Sequence, residues 1–395
     1  MSLATTQAEQ HGAKAHTDGG WDDTSVVPVQ TRSERFTSVN HDDFPAVTGL
    51  EVDWKLTPVP LVRQLIDEQL DGSRYEITDE GSSATAVIEW IATDDSRIGS
   101  AGTPEDRASA NAWSSASEAL AITLTGEEPL VVGIDRSGFG GQPRAAHTVI
   151  TAKKHSSSHV VLRSTGPANL VENVEIVVEE GANLTVVSLQ EWDDEAIHLA
   201  SHFVQVGRDA KLTHIVVSLG GKVVRVNPSV HLSGEGADGD LYGLYFADAG
   251  QHLEQRVYLH HKAANTKGRV NYKGALQGVG AHTVWVGDVL IGREAAGTDS
   301  YEQNRNLVLS EGTRADSIPN LEIETGDILG AGHASATGRF DDEQLFYLQA
   351  RGISEPEARR LVVIGFLSEI VQKIGDAALE EYLHGKIETE LGGVA

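Results

Sequence analysis

Sixteen histidines and no cysteine decide what chemistry is open to these 395 residues. Without a thiol there is no disulfide, no thiolate metal site, no cysteine nucleophile and no self-contained iron–sulfur ligation. Nothing here can hold a metal with sulfur from cysteine, and the histidines sort by their surroundings. His198 and His202 are four apart, a helical ligand spacing, but their segment is strand-like, so they share a face without converging. His260 and His261 point to opposite sides of an extended chain and cannot chelate together. His333 differs. It lies in Gly330-Ala-Gly-His-Ala-Ser-Ala-Thr-Gly338, which reads as a small-residue loop where another backbone or an ion can approach closely. Familiar catalytic signatures are missing: there is no G-x-x-x-x-G-K-[ST], no G-x-S-x-G and no H-E-x-x-H. Ser137-Gly-Phe-Gly-Gly141 departs from the dinucleotide fingerprint and precedes no helix.

Charge narrows the partners. Against 31 Lys and Arg stand 58 Asp and Glu, a formal charge of −27. Such an excess repels phosphate backbones and anionic membrane surfaces, so neither nucleic acid nor a membrane is expected as a partner. No run approaches the ~18–20 apolar residues of a membrane span. The first 30 residues lack the basic and apolar regions of a secretory signal, so a cytoplasmic protein is expected.

The elements that must position His333 divide into four regions. Residues 1–35, rich in His, Gly, Thr, Asp and Ser, read as a disordered tail. Residues 36–124 read as a mixed, helical N-terminal domain. Leu61, Leu65, Ile66 and Leu70 mark one helix. Thr103-Pro104-Glu105-Asp106 offers an N-cap and a first-turn proline for a second, continuing through Ala108 to Leu120.

From about 125 to 338 the chain reads as β. Short β-branched alternating runs, such as Leu184-Thr-Val-Val-Ser-Leu189 and His202-Phe-Val-Gln-Val206, are punctuated by Gly, Asn and Asp. The punctuation is periodic: Ala182, Ala210 and Ala237 each follow a turn and step by 28 and 27, and Ala315 falls about three further steps on. Strand-only repeats of this length favour a β-solenoid, with a β-sandwich as the alternative. A solenoid leaves open strand edges that must be capped or paired with another chain.

Residues 339–395 read as a C-terminal helical domain. Asp341 or Asp342 caps a short helix through Gln344-Leu-Phe-Tyr-Leu348, closed at Arg351-Gly352. Ser354-Glu-Pro-Glu357 is a capping box opening a long apolar helix through Phe366 to Val371, and a last helix follows Asp376. The Phe366 helix is apolar around much of its circumference, which fits either a partner surface or burial in its own domain.

The stretch from His333 to Phe366 resembles the C-terminal signature of the SufB/SufD family of iron–sulfur cluster assembly proteins. The resemblance is carried by His333, Gly338, Asp342-Glu-Gln-Leu-Phe-Tyr-Leu348, Arg351-Gly-Ile353 and Ala358, with Pro319-Asn-Leu-Glu-Ile323 upstream. It extends over roughly residues 125–390. Lacking cysteine and extra length, the chain looks like the SufD branch. The resemblance implies a mainly β protein, a right-handed β-helix flanked by N- and C-terminal helical domains. It also implies a non-catalytic scaffold, paired through the β-helix edge with SufB and through its C-terminal helices with the SufC ATPase. Two departures stand out: Ala331 occupies a position where some SufD proteins carry cysteine, and Ala334-Ser-Ala336 replaces the usual Gly-Ala-Thr. Only His333 could then reach iron, transient iron or a cluster being shared with SufB and none held alone. Leu345, Phe346, Tyr347, Arg351 and Phe366 are the expected SufC-docking residues, with core packing as the alternative. A SufD-like homodimer acting apart from SufB is a second reading. A β-helix polysaccharide lyase is a third, with only Trp192-Asp-Asp-Glu195 as an acidic cluster.

Overall fold

A computed structural model describes residues 35–339 and 342–392; the expected 1–35 tail falls almost entirely outside them, as does Asp341 as a cap. Eighteen strands form two nine-stranded sheets. One runs β1 (Glu76–Glu80), β4 (Leu130–Ser137), β6 (Ser157–Gly166), β8 (Asn183–Trp192), β10 (Lys211–Gly220), β12 (Asp238–Ala247), β14 (Lys267–Leu276), β16 (Thr298–Val308), β18 (Ile328–Arg339), and the other β17 (Arg314–Ile323), β15 (His282–Ile291), β13 (His252–His261), β11 (Val223–Leu232), β9 (Ile197–Val206), β7 (Ala168–Val178), β5 (Gly140–Ala152), β3 (Glu118–Leu124), β2 (Ala86–Ala92). Consecutive strands alternate between the sheets from β4 onward, so each coil contributes one strand to each wall of a solenoid. Pairing is parallel throughout except where β1 (Glu76–Glu80) and β2 (Ala86–Ala92) run antiparallel to β4 and β3.

The expected period is real and its spacing drifts. Register pairs Asn183 with Lys211, Lys211 with Asp238, Asp238 with Lys267 and Lys267 with Asp299, so successive coils take 28, 27, 29 and 32 residues. One corner of every coil turns on a left-handed residue: His155, Gly181, Asp209, Gly236, Asn265 and Gly297, with φ between 51° and 74°. Glycine, asparagine and aspartate tolerate that region, which explains their spacing in the sequence. These corners stack, Gly181 N–H donating to Arg208 O at 2.9 Å and Asp209 N–H to Glu235 O at 3.0 Å. Ala182, Ala210 and Ala237 follow the corners and are buried, as the repeat predicts. Ala315 is not their equivalent. It lies in β17 (Arg314–Ile323) opposite Thr283, in the other sheet. The lengthening coils carry a constant step off register by half a turn.

Strand alternation fills the interior. Val132, Val160, Val186, Leu241 and Val270 occupy one inward column, and Leu184, Leu212, Leu232 and Leu259 lie in the same core. Tertiary burial also corrects two local expectations. The first helix, α1, spans Val59–Asp67 rather than beginning at Leu61. The second, α2, is Arg107–Ser115, capped by the Asp106 carboxylate accepting from Ser109 N–H at 2.8 Å, not by Thr103. It stops before Leu120 because β3 (Glu118–Leu124) delivers Leu120, Ile122 and Leu124 to the solenoid core, where they are fully buried. Helices α1 and α2 cover the β5–β11 face through Val62, Leu65, Ile66, Ala108 and Ala112 against Ala145, Val171, Leu199 and Val223.

Three helices follow the last strand: α3 (Asp342–Gln349), α4 (Glu355–Val371) and α5 (Ala377–Gly392). Val363, Leu367, Ile370 and Leu383 pack on Ile215, Val217, Leu244 and Phe246 of the opposite face. Lys273 anchors α4, donating to Glu369 at 2.6 Å and to the Phe366 carbonyl at 2.9 Å. Contact with α3 and α5 as well as this sheet accounts for the apolar circumference of α4.

Candidate functional site

The solenoid ends abruptly. Among the described residues, β17 and β18 (Ile328–Arg339) are the outermost strands of their sheets, each paired on one side only. Their free sides present unpaired main-chain N–H and C=O groups. Tyr301, Ile323 and Leu329 are exposed around this end.

His333 sits on that last rung, in a strand and not in the small-residue loop expected from its neighbours. Small residues do not prevent pairing here: Gly332, His333 and Ala334 stand opposite Tyr301, Glu302 and Gln303 of β16 (Thr298–Val308). The His333 side chain is 45% exposed, and its Nδ1 is 3.6 Å from Glu302 Oε1, an ion-pair separation and not a hydrogen bond.

Glu302 has no exposed surface, and neither carboxylate oxygen has a hydrogen-bond partner. Burial pushes its pKa up to about 8, with repulsion from Asp288 adding to it and the Asn320 main chain opposing it. Asp288 on β15 (His282–Ile291) is itself engaged by Asn320 Nδ2 at 2.8 Å and by Arg35 at 3.3 Å.

Polar side chains enter the interior at several levels, Arg136 and His214 among them, and do so again at this end. Inward positions of β14 (Lys267–Leu276) carry Val270, Tyr272 and Gly274; those of β16 carry Glu302, Asn304 and Asn306; those of β18 carry His333, Ser335 and Thr337. Hydrogen bonds knit part of this patch. Asn304 Nδ2 donates to the Tyr245 hydroxyl at 2.7 Å, that hydroxyl donates to Asn306 Oδ1 at 2.8 Å, and Ser335 and Ser317 bridge β18 and β17 at 2.8 Å. Glu302 was not among the sequence candidates. Its signal was Ser300, Glu302, Asn304 and Asn306 at every second position, a strand whose core face is polar.

The other histidines singled out in the sequence lie among protein partners or apart from one another. His198 Nε2 contacts Glu172 Oε1 at 2.9 Å, and Trp192 Nε1 donates to His198 Nδ1 at 3.2 Å. His202 pairs with His214 at 2.9 Å deep inside. His261 faces inward onto Thr266 and Ser300, while His260 lies on the outer face near His231. The Asp193-Asp194-Glu195 run is an exposed corner, Glu195 pairing with Lys222. Among the described residues no three His, Asp or Glu side chains converge as a metal site.

The C-terminal candidates separate by exposure. Leu345 is buried and Phe366 is half-buried against the helix–sheet core. Phe346 and Tyr347 are 71% and 57% exposed, and the Arg351 guanidinium lies 3.5 Å from the Tyr347 ring centroid. No helix of the described residues is long and apolar enough to cross a membrane.

Comparison with known proteins matches residues 136–366 to the family model described as SUF system FeS cluster assembly, SufBD core domain. An iron–sulfur cluster assembly SufBD family protein of Mycobacterium leprae is 46% identical over 376 residues, covering 93% of this chain and 96% of that protein. One of Mycobacterium bovis is 45% identical over 372 residues, 92% and 94% of the two chains. A second, longer Mycobacterium leprae protein of the same description is 30% identical over 252 residues, 28% of its length.

Proposed function

The chain belongs to the SufBD family of iron–sulfur cluster assembly proteins, and from that premise we propose that it is a SufD-type, non-catalytic scaffold subunit. It pairs its open solenoid end with a SufB-type sister chain and carries a SufC-type ATPase on its C-terminal helices. Iron or a nascent cluster is the cargo at the seam. The observation that carries this reading is His333, half-exposed on the last strand of one sheet, whose outer edge is free among the described residues, in a cysteine-free chain. A neutral imidazole suits ferrous iron, and a sister chain's thiolates complete the coordination that this chain cannot supply. The ATPase takes the exposed ridge of Phe346, Tyr347 and Arg351, while Leu345 and Phe366 hold that ridge in place from beneath.

Co-expression with the SufB- and SufC-type subunits of its host tests the reading. Light scattering is expected to find all three chains in one complex. Truncation after Gly338 should release the ATPase, and retained binding would remove the helices from that role. His333→Ala should leave the complex intact while lowering iron–sulfur enzyme activity in cells; unchanged activity would remove His333. A homodimer that ignores the SufB-type chain would overturn the pairing.

A further inference from the structure

We propose that Glu302 and His333 form a two-ligand half-site for a divalent first-row metal ion at the open end of the solenoid. The inference rests on the reading of His333 above and adds a second ligand to it.

Glu302 is a carboxylate with no exposed surface and two oxygens lacking hydrogen bonds. Buried acidic groups otherwise find partners, because an unpaired one loses its hydration for nothing. This one is aimed along its column at the one half-exposed imidazole on the rung above. The spacing fits a shared ion. Bonds of roughly 2.1 Å, the usual length from imidazole or carboxylate to such a metal, reach across the observed 3.6 Å at an angle of about 118°, near tetrahedral.

Room for the carboxylate is provided from the opposite sheet. Gly287 stands where any side chain would collide: a Cβ there would lie 2.3 Å from Glu302 Oε2. A dication at this point supplies the partner that the buried carboxyl group lacks, and one nitrogen with one oxygen leaves coordination positions for water and for donors on a covering subunit. One imidazole and one carboxyl group accept any first-row dication, and ferrous iron is the one the proposed function would supply.

The test uses the full-length, tag-free chain under anaerobic conditions, titrated with Co2+ and with Fe2+ by calorimetry, Co2+ binding also being read from its visible absorption. Wild type, Glu302→Gln, His333→Ala and the double variant are compared. Each single variant should weaken Co2+ binding at least tenfold, and the double variant should bind little worse than either. Glu302→Gln keeps the shape and removes only the charge; should it fail to fold, Glu302→Asp keeps the charge, withdraws the oxygens and should weaken binding as well. Loss with His333→Ala but wild-type affinity in Glu302→Gln overturns the half-site and leaves the His333 reading standing. Unchanged affinity in both variants removes both. Loss with Glu302→Gln alone, or no binding to wild type at millimolar Co2+, overturns the half-site.

Discussion

Arg136 of β4 (Leu130–Ser137) and Glu172 of β7 (Ala168–Val178) meet inside the solenoid from opposite sheets, joined by two hydrogen bonds of 2.7 and 3.0 Å, each side chain 1% exposed. Burial by itself would raise the Glu172 pKa, but the Arg136 charge and the His198 hydrogen bond hold it well below the usual carboxylate range. Ser164 accepts from the guanidinium as well, at 2.7 Å. Removing one partner strands the other charge in the core. Glu172→Ala should therefore cost about 3–5 kcal/mol in urea unfolding, and Arg136→Met with Glu172→Leu should recover much of it. A loss under ~1 kcal/mol would mean that water reaches the pair.

Tyr245 packs where its register partner Gly274 has no side chain, and Tyr272 does the same over Gly243. A Cβ on Gly274 would come within 1.8 Å of the Tyr245 ring, and one on Gly243 within 2.0 Å of Tyr272. Gly274→Ala should cost about 1–3 kcal/mol by overpacking. Combining it with Tyr245→Leu should give non-additive losses of at least ~0.5 kcal/mol, since the two share one space. Additive losses would mean the coils slide apart to accommodate the methyl.

Three buried histidines set the acid limit. Burial lowers His202 far below its ordinary value, pushes His214 down to about 4 and His261 to about 3. Unfolded, each takes its proton near pH 6.5, so below that pH the unfolded chain binds more protons and stability falls. The loss begins near pH 6.5 and continues to about 4 for His214 and about 3 for His261, at up to ~1.4 kcal/mol per pH unit for each ring. Urea midpoints at pH 7, 6 and 5 should decline by an increasing amount; a flat profile would mean that the rings are protonated in the folded state.

Leu329 stands 82% exposed on β18, beside the unpaired edge. Under the proposed function, Leu329→Glu should change folding stability by no more than ~0.5 kcal/mol, as at other exposed sites. It should still weaken assembly with the sister chain, measurable as a raised dissociation constant or an earlier-dissociating peak in size exclusion. Unaltered assembly would place the interface elsewhere.

Much was decided by the order of residues alone. Period-two alternation of β-branched residues required strands, and Gly181, Asp209 and Gly236 before Ala182, Ala210 and Ala237 marked the corners where a left-handed residue turns each coil. The absence of cysteine meant that no complete iron–sulfur site could be built here. Family membership was also legible, in the run from His333 to Phe366. What the fold alone decided is stacking. Alternation tells which side chains share a face, but not which rung they rest on, because the coils lengthen from 27 to 32 residues between Lys211 and Asp299. That drift misplaced Ala315, and only the assembled register sets His333 on Glu302. Exposure follows the same rule: Leu345 and Phe346 are sequence neighbours of like character, and helix packing alone buries the first and leaves the second in solvent.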